Sequence, residues 1–217
     1  CRATRHVVLC TDSDALAQAA GAWGFEALMT SPDCSSGSER IASVVFELVA
    51  LAGGTPEDTV IINVQGDQPF IDPAVIDTMA VEFQRRRPVP QVLTPVYRLG
   101  GTKVHNPNVV KTLLAADGRA IYFSRSAIPH VRDEHPDDWP QHTTYWGHVG
   151  IYGYRADVLA RWRELPHSPL EHTEKLEQLR LIESGIEVGT FVVEGESLSV
   201  DTEDQLAQAR EMAKSIH

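Results

Sequence analysis

Residues 60–69 read VIINVQGDQP, and this stretch decides the fold because it combines a buried strand with a carboxylate at its end. In open α/β folds the strands deliver their last side chains to the carboxyl edge of the sheet, where ligands bind. An Asp at that edge can hold a hydrated divalent cation against phosphates. Asp67 is therefore the first candidate functional residue, although a strand-end Asp also serves simply to satisfy backbone groups in a turn.

The composition indicates one globular domain spanning residues 1–217. Of these residues, 42% are hydrophobic and 23% are charged, which is enough to bury a sizeable core. The net charge of -11 argues against a nucleic-acid partner, because phosphate backbones are met by clustered Lys and Arg. No run is long and apolar enough to cross a bilayer, so we expect no membrane partner. The three cysteines lack C-x-x-C spacing and favour a reducing, cytoplasmic location.

Strand and helix signals alternate along the chain, which is typical of an α/β protein. Strands are predicted at residues 6–11, 60–64, 92–97, 109–114, 121–123, 149–154, 188–193 and 197–200. Helix starts are marked by an Asp or Ser cap within Asp12-Ser13-Asp14 and by caps at Ser36-x-x-Glu39, Asp72-Pro73, Ser168-Pro169-Leu170-Glu171 and Thr202-x-x-Gln205. The second of these helices is expected to continue to Gly53, and the fourth to run from Pro169 to about Ser184.

Two segments in the middle of the chain have distinct signals. Asp117-Gly118 is a turn signal between two predicted strands and indicates an antiparallel hairpin. The polar segment 129–141 is long for a plain connection, so we expect it to serve binding or dimer contact.

A second carboxylate, Asp201, also follows a predicted strand. Strands far apart in sequence can converge at one edge of a sheet, so Asp67 and Asp201 are able to share one Mg²⁺, which is usually held by one or two carboxylates and by substrate phosphates. The alternative for Asp201 is a helix cap formed with Thr202, which needs no metal.

Seven motifs in order resemble the 3-deoxy-manno-octulosonate cytidylyltransferase family, also called CMP-Kdo synthetases. They are NVQGDQP at 63–69, SGSER at 36–40, NPNVVK at 106–111, YFSRSAIP at 122–129, HVGIYGYR at 148–155, SPLEHTEKLEQLR at 168–180 and VDTEDQL at 200–206. The resemblance covers nearly the whole chain.

The resemblance implies a fold and an activity. The fold is a three-layer, Rossmann-like α/β fold of the nucleotide-diphospho-sugar-transferase type, with a mixed, mostly parallel sheet and a smaller antiparallel dimerisation subregion. The activity is Mg²⁺-dependent transfer from CTP to the acidic sugar Kdo, giving CMP-Kdo and pyrophosphate for lipopolysaccharide synthesis. A cytoplasmic homodimer is expected.

By the same resemblance, Asp67 and Asp201 are the catalytic and metal-binding residues. The residues implied to bind the nucleotide are Ser36, Gly37, Arg40, Gln65 and Gly66. For Arg40 the alternative is an ordinary surface charge, although an Arg in the first helical turn opposes the macrodipole and needs another partner.

A third group of residues is implied to bind the sugar, namely Ser124, Arg125, His148, Tyr152, Glu174 and Gln178. In the predicted helix Glu174 and Gln178 are four residues apart and share one face. The alternative is that this face is simply solvated. Arg125 is suited to bidentate pairing with a sugar carboxylate.

Three departures from the family pattern stand out. Family members begin with a strand and a glycine-containing loop rich in Arg and Lys, whereas residues 1–5 resemble the end of the helix after that loop. We therefore expect the sequence as given to be nearly inactive by itself, because the triphosphate charge would be unbalanced. Gln68 stands where an acidic residue is common in the family, and Gly147 stands where a basic residue is usual.

Two alternative functions stay open. One is a non-catalytic homologue that binds a nucleotide or a sugar acid, and the other is a CMP-sialate-like synthetase.

Overall fold

The computed structural model describes residues 1–195, 199–200 and 202–214. It opens with a small unit of β1 (Val8–Thr11), α1 (Asp14–Ala22) and β2 (Glu26–Met29). The two strands pair in parallel, with Val8 opposite Glu26. A cap within Asp12-Ser13-Asp14 is confirmed, and it is Ser13, whose side chain accepts a hydrogen bond from the Leu16 amide.

The helix predicted from Ser36 to Gly53 is two helices in the structure. α2 (Gly37–Ser43) and α3 (Val45–Ala52) meet at Val44, whose φ of -122° and ψ of 21° are not helical. The cap at Ser36 is confirmed, because its hydroxyl accepts from the Glu39 amide at 3.1 Å. The end is confirmed as well: Gly53 takes the left-handed conformation (φ 66°), which glycine adopts without steric cost.

The remaining elements build the main sheet and its helical layers. They are β3 (Val60–Asn63), α4 (Pro73–Arg85), β4 (Val92–Leu99), β5 (Lys111–Leu114), β6 (Ala120–Ser124), α5 (Trp139–His142), β7 (Tyr145–His148), β8 (Tyr152–Arg155), α6 (Ala156–Ala160), α7 (Pro169–Glu174), α8 (Leu179–Glu183), β9 (Val188–Val192) and α9 (Glu203–Lys214). Short 3₁₀ turns lie at Gly101–His105, Pro136–Asp138 and Trp162–Glu164. No helix among the described residues is long and apolar enough to cross a membrane.

Among the residues that the structure describes, the main sheet has seven strands in the order β3-β8-β4-β7-β5-β6, with β9 paired to β4. The mixed α/β class is confirmed, but the expectation of a mostly parallel sheet is wrong. Within the described part of the chain, β4 with β9 is the one parallel pairing of this sheet. The reason is that antiparallel β8 lies between β3 and β4, and antiparallel β7 lies between β4 and β5. The predicted β5–β6 hairpin is confirmed, with a bulge between Leu113 and Leu114.

Apolar residues pack on both faces of this sheet. Val92 and Leu93, which are neighbours on β4, belong to two different core clusters because strand side chains alternate between faces. One cluster includes α3, α6 and α8, and the other includes Met79 and Phe83 of α4. The sheet therefore lies between two helical layers.

The helix predicted from Pro169 to Ser184 is wrong beyond Glu174. Lys175 has a φ of 55°, so α7 ends there, and α8 begins only at Leu179. Glu174 and Gln178 consequently do not share a helix face. The interruption turns Leu176 into the core and brings the carboxylate of Glu177 against α2.

Two strand predictions also need correction. The strand predicted at 149–154 is shifted, because β8 starts at Tyr152, and the preceding β7 was not predicted. Of the strand predicted at 197–200, residues 197 and 198 lie outside the described residues, and Ser199 and Val200 are not in a strand. Packing explains why residue 147 of β7 is glycine, since a Cβ there would lie 2.4 Å from the Tyr97 ring.

Candidate functional site

A cavity of about 570 Å³ opens where β3, the β7–β8 connection, the start of α2 and the α7–α8 turn meet. Eight residues singled out from the sequence for nucleotide, sugar or metal contact line its wall. These eight are Ser36, Gly37, Gln65, Asp67, Arg125, His148, Tyr152 and Gln178, the last of which is 2% exposed. Distant parts of the sequence therefore form one site.

The start of α2 lies directly against the end of β3. A Cβ added to Gly37 would be 3.5 Å from the Asn63 amide nitrogen and 3.6 Å from the Gln65 amide oxygen. The absence of a side chain at Gly37 lets this helix start approach Gln65. Gly66 is exposed and is not part of the cavity wall.

Glu177 connects the two sides of the cavity, and sequence reasoning missed it. Its carboxylate accepts hydrogen bonds from the Ser38 hydroxyl at 2.9 Å, the Ser38 amide at 3.4 Å and the Gln65 side-chain amide at 3.3 Å. Ser38 also contacts the hydroxyl of buried Tyr154 at 2.8 Å. Burial raises the pKa of the Glu177 carboxyl, and hydrogen bonds from Ser36 and Ser38 oppose that rise.

These contacts fix the orientation of the Gln65 amide. The side-chain NH₂ group of Gln65 is the donor to a Glu177 carboxyl oxygen, so it is turned toward Glu177. The amide oxygen of Gln65 is then left for the cavity side. The sequence signal that could have found Glu177 is its place in the EKLEQLR motif, two residues after the helix break at Lys175.

His148 contributes a neutral ring to the cavity. Its Nε2 is 2.8 Å from the hydroxyl of Thr94, and its ring packs against Phe123 and Tyr152 at centroid distances of 5.0 and 5.4 Å. Burial lowers the pKa of His148 to about 3. At neutral pH the ring is therefore uncharged and presents one donor and one acceptor.

Asp67 lies at the cavity next to the C-terminal part of the chain. The amide of Val200 donates to the Asp67 backbone oxygen at 2.8 Å, and the Ser199 hydroxyl donates to the Asp67 carboxylate at 3.3 Å. Asp201 itself lies outside the described residues. The residue immediately before it is thus hydrogen bonded to Asp67.

Three of the predicted sugar residues hold one another. The carboxylate of Glu174 accepts from the Ser124 hydroxyl at 2.7 Å and from the Arg125 amide at 2.9 Å. The Arg125 guanidinium donates to the backbone oxygens of Glu174 and Pro107 at 2.8 and 3.1 Å. Arg125 reaches the cavity wall, whereas Ser124 and Glu174 are not part of it. These hydrogen bonds join the end of β6 to α7 and hold Arg125 in the cavity wall.

Arg40 lies apart from the cavity wall. Its guanidinium forms an ion pair with Asp12 at 3.2 Å and donates to the Thr30 hydroxyl at 2.6 Å. The expectation that Arg40 lies in the first helical turn is wrong, because α2 is short and Arg40 lies in its last turn, where Asp12 is its ion-pair partner. In the structure Arg40 therefore holds α2 against the β1–β2 unit.

The cavity wall carries charges of both signs, because Arg125, Lys175 and Arg180 share it with Asp67, Glu171 and Glu177. His167 and His172 line it too. Arg180 is paired with Glu171 through two contacts of 2.7 and 3.1 Å, while Lys175 is exposed. An exposed ammonium group at the cavity, such as that of Lys175, can meet an anionic ligand there.

Comparison with known proteins gives concordant matches. The family model described as cytidylyltransferase matches residues 1–189. The chain is 40% identical to the 3-deoxy-manno-octulosonate cytidylyltransferase of Chlorobaculum parvum over 214 residues, which is 97% of this chain and 81% of that protein. It is also 40% identical to the enzyme of the same name from Myxococcus xanthus, over 90% of this chain and 74% of that protein.

A solved structure matches the fold as well. A CMP:2-keto-3-deoxy-manno-octonic acid synthetase complexed with CTP superposes with a TM-score of 0.85 at 34% identity. The match covers 99% of this chain and 83% of that one. The fold of this chain is thus similar to that of an enzyme solved in complex with CTP.

Proposed function

The chain belongs to the cytidylyltransferase family, and from this premise we propose that it joins CTP and Kdo to give CMP-Kdo and pyrophosphate. CMP-Kdo is an activated sugar for lipopolysaccharide synthesis. The observation that carries this function is one cavity that Gln65 and Asp67, which follow β3, line together with His148 at the end of β7 and Tyr152 at the start of β8. Such a sheet-edge crevice suits two polar substrates that must meet.

For the nucleotide we propose the side of the cavity formed by Ser36, Gly37 and Gln65. The close approach of Gly37 to Gln65 supports this assignment, because it leaves backbone and amide groups available to a base edge. Arg40 and Gly66 would act less directly, Arg40 by holding α2 in place and Gly66 by keeping the turn after Gln65 free of a side chain.

For the acidic sugar we propose the opposite side, where His148, Tyr152, Glu177 and Gln178 offer hydrogen-bonding groups to hydroxyls. Arg125 and exposed Lys175 supply positive charge for the sugar carboxylate. Glu174 positions Arg125, because its carboxylate accepts hydrogen bonds from the Ser124 hydroxyl and from the backbone amide of Arg125. Glu177 takes the place on this wall that the sequence analysis gave to Glu174.

The donor set also fits a divalent cation. Mg²⁺ prefers one or two carboxylates completed by phosphate oxygens and water, and we propose Asp67 and Asp201 as those carboxylates. The hydrogen bond from Val200 to Asp67 supports this pairing. When bound, the ion would neutralise charge that develops on the phosphates.

The reaction requires little covalent chemistry from the protein. The anomeric hydroxyl of Kdo attacks the α-phosphorus of CTP, a new P–O bond forms to the sugar, and the bond to the β-phosphate breaks to release pyrophosphate. The residues of this cavity bind both substrates in line and exclude water, which supplies most of the rate gain in such transfers.

Two further properties belong to the proposal. A homodimer is supported by the exposed polar segment 129–141, where Trp139 packs against His105 and His130 and gives the segment a fixed shape. A cytoplasmic location is supported by the free thiols of Cys1, Cys10 and Cys34. Light scattering of the purified protein tests the first of these.

A substrate panel tests the function. The full-length gene product is assayed for pyrophosphate release with CTP or UTP, and with Kdo or a nine-carbon sialic acid, in the presence of Mg²⁺. We expect release only with CTP and Kdo together. Release with sialic acid instead of Kdo would identify a CMP-sialate-like synthetase, and CMP binding without release would identify a non-catalytic homologue.

A further inference from the structure

The hydroxyl of Thr94 lies beneath the cavity floor and makes three polar contacts. Thr94 is on β4 and is 0% exposed, so water does not reach it. Its Oγ1 is 2.8 Å from the backbone oxygen of Ile151, 3.3 Å from that of Val149 and 2.8 Å from Nε2 of His148. Two of these neighbours are carbonyl oxygens, which can only accept.

The contacts determine where the hydroxyl proton goes. A threonine hydroxyl has one proton and two lone pairs. If the proton pointed to His148, the Ile151 oxygen would face a lone pair at 2.8 Å inside a dry core, which is costly. The hydroxyl therefore donates to a carbonyl oxygen and accepts from His148, so Nε2 of His148 carries the hydrogen.

The other ring nitrogen, Nδ1, is consequently an acceptor. It has no hydrogen-bond partner among the described residues, and it is not one of the buried atoms left unsatisfied there. An atom without a partner that is not among those buried atoms keeps some exposure, and His148 is a residue of the cavity wall. Contacts with Phe123 and Tyr152 restrict rotation of the ring.

We propose that Thr94 is a positioning residue for the reaction: it holds His148 in the Nε2-protonated tautomer, so that Nδ1 accepts a hydrogen bond from a hydroxyl of the bound sugar acid. The assignment to the sugar acid rests on the proposed function, while the tautomer does not. The ring stays neutral at working pH because burial lowers the pKa of His148 to about 3. It binds and orients a hydroxyl; it does not act as a strong base.

The tautomer is measured directly by two-bond ¹H–¹⁵N correlation spectra of the protein labelled with ¹⁵N-histidine. The His148 signals are assigned as those missing from His148→Gln. We expect a protonated Nε2 and an unprotonated Nδ1 at pH 7. A protonated Nδ1 in the unsubstituted protein would overturn the proposal without any variant and regardless of enzymatic activity.

Two variants of Thr94 test the consequence for catalysis. Thr94→Val keeps the shape and removes the hydroxyl, so we expect a mixture of tautomers and a rise of about tenfold in KM for Kdo, with kcat and KM for CTP changed less. Thr94→Ser keeps the hydroxyl, so this variant should have the same tautomer and the same KM for Kdo as the unsubstituted protein. Near-ultraviolet circular dichroism verifies that both variants fold.

Each remaining outcome has a definite meaning. An unchanged tautomer in folded Thr94→Val, or an equal loss in Thr94→Ser, would contradict the positioning role. A rise only in KM for CTP would assign Nδ1 to the nucleotide and contradict the sugar contact. Absence of turnover in every form would count against the proposed function, while the spectra would still decide the tautomer.

Discussion

The carboxylate of Glu177 lies 2.9 Å from the hydroxyl of Ser38, a residue 139 positions earlier in the chain. This contact joins the start of α2 to the turn between α7 and α8. Glu177 also accepts a hydrogen bond from the side-chain amide of Gln65, so one carboxylate links the α7–α8 turn to α2 and to the segment after β3. Both proposed substrate sites depend on this arrangement.

Glu177→Gln tests that arrangement. The substitution keeps the size of the side chain but removes the carboxylate, and with the amide oxygen held by the Ser38 hydroxyl and Gln65 it sets an NH₂ group against the Ser38 backbone amide, which already donates to Glu177. Charge-assisted hydrogen bonds contribute about 1.5–3 kcal/mol each, so we expect kcat/KM to fall by about 100-fold. The matched control is Glu211→Gln on exposed α9, where Glu211 pairs only with Lys214. Equal kinetics in the two variants would remove Glu177 from the site.

The stability of the protein should depend on the protonation of His148. Burial lowers the pKa of this ring from 6.5 to about 3. Between these two pH values the unfolded state binds a proton on His148 and the folded state does not. His148 therefore reduces stability as the pH falls from 6.5 toward 3. Relative to His148→Gln, the free energy of unfolding should fall by up to about 1.4 kcal/mol per pH unit in that window.

Urea unfolding of both proteins at pH 7 and pH 5 measures this difference, since all other titrating groups are shared. Parallel pH dependence in the two proteins would show that His148 takes up its proton in the folded state as readily as in the unfolded one.

Lys175 is expected to trade stability for binding. Its left-handed backbone (φ 55°) costs a residue with a Cβ about 1 kcal/mol, and glycine would avoid that cost. Lys175→Gly should therefore raise the free energy of unfolding by up to about 1 kcal/mol while raising KM for Kdo, because the ammonium is lost. Lys175→Ala keeps the Cβ and should raise KM without the gain in stability. A gain in both variants would rule out the backbone explanation.

Gly147 is expected to be required by packing. A Cβ there would lie 2.4 Å from the ring of Tyr97, so Gly147→Ala must displace a buried aromatic side chain. Overpacking of this kind costs about 1–3 kcal/mol in thermal or urea unfolding. Gly100→Ala is the matched control, since a Cβ there meets nothing within 4 Å. If both variants unfold alike, the rotation of Tyr97 is easier than its burial indicates.

Local signals predicted the parts of the fold that depend on neighbouring residues. The caps at Ser36 and Asp72 and the hairpin at Asp117-Gly118 rest on hydrogen bonds within a few positions, and all three are present. The order of the sheet could not be predicted this way, because the insertion of β8 between β3 and β4 is set by contacts distant in sequence.

The candidate site shows the same division. Gln65, Asp67, His148 and Tyr152 carry recognisable motifs and line the cavity. Glu177 was missed because a regular helix through residues 169–184 satisfies every local pattern, and only the turn at Lys175 brings Glu177 to Ser38. A site residue that depends on a break in a helix leaves little signal in hydrophobic periodicity.

The most direct test of the central claim is pyrophosphate release by the full-length protein with CTP, Kdo and Mg²⁺, compared between Asp67→Asn and Asp72→Asn. Both substitutions neutralise one carboxylate after β3, but Asp72 caps α4 through the Ala74 amide, a role that asparagine retains. We predict a loss of at least about 100-fold in Asp67→Asn and near-normal release in Asp72→Asn. Undiminished release by Asp67→Asn would contradict the placement of the reaction at this sheet edge.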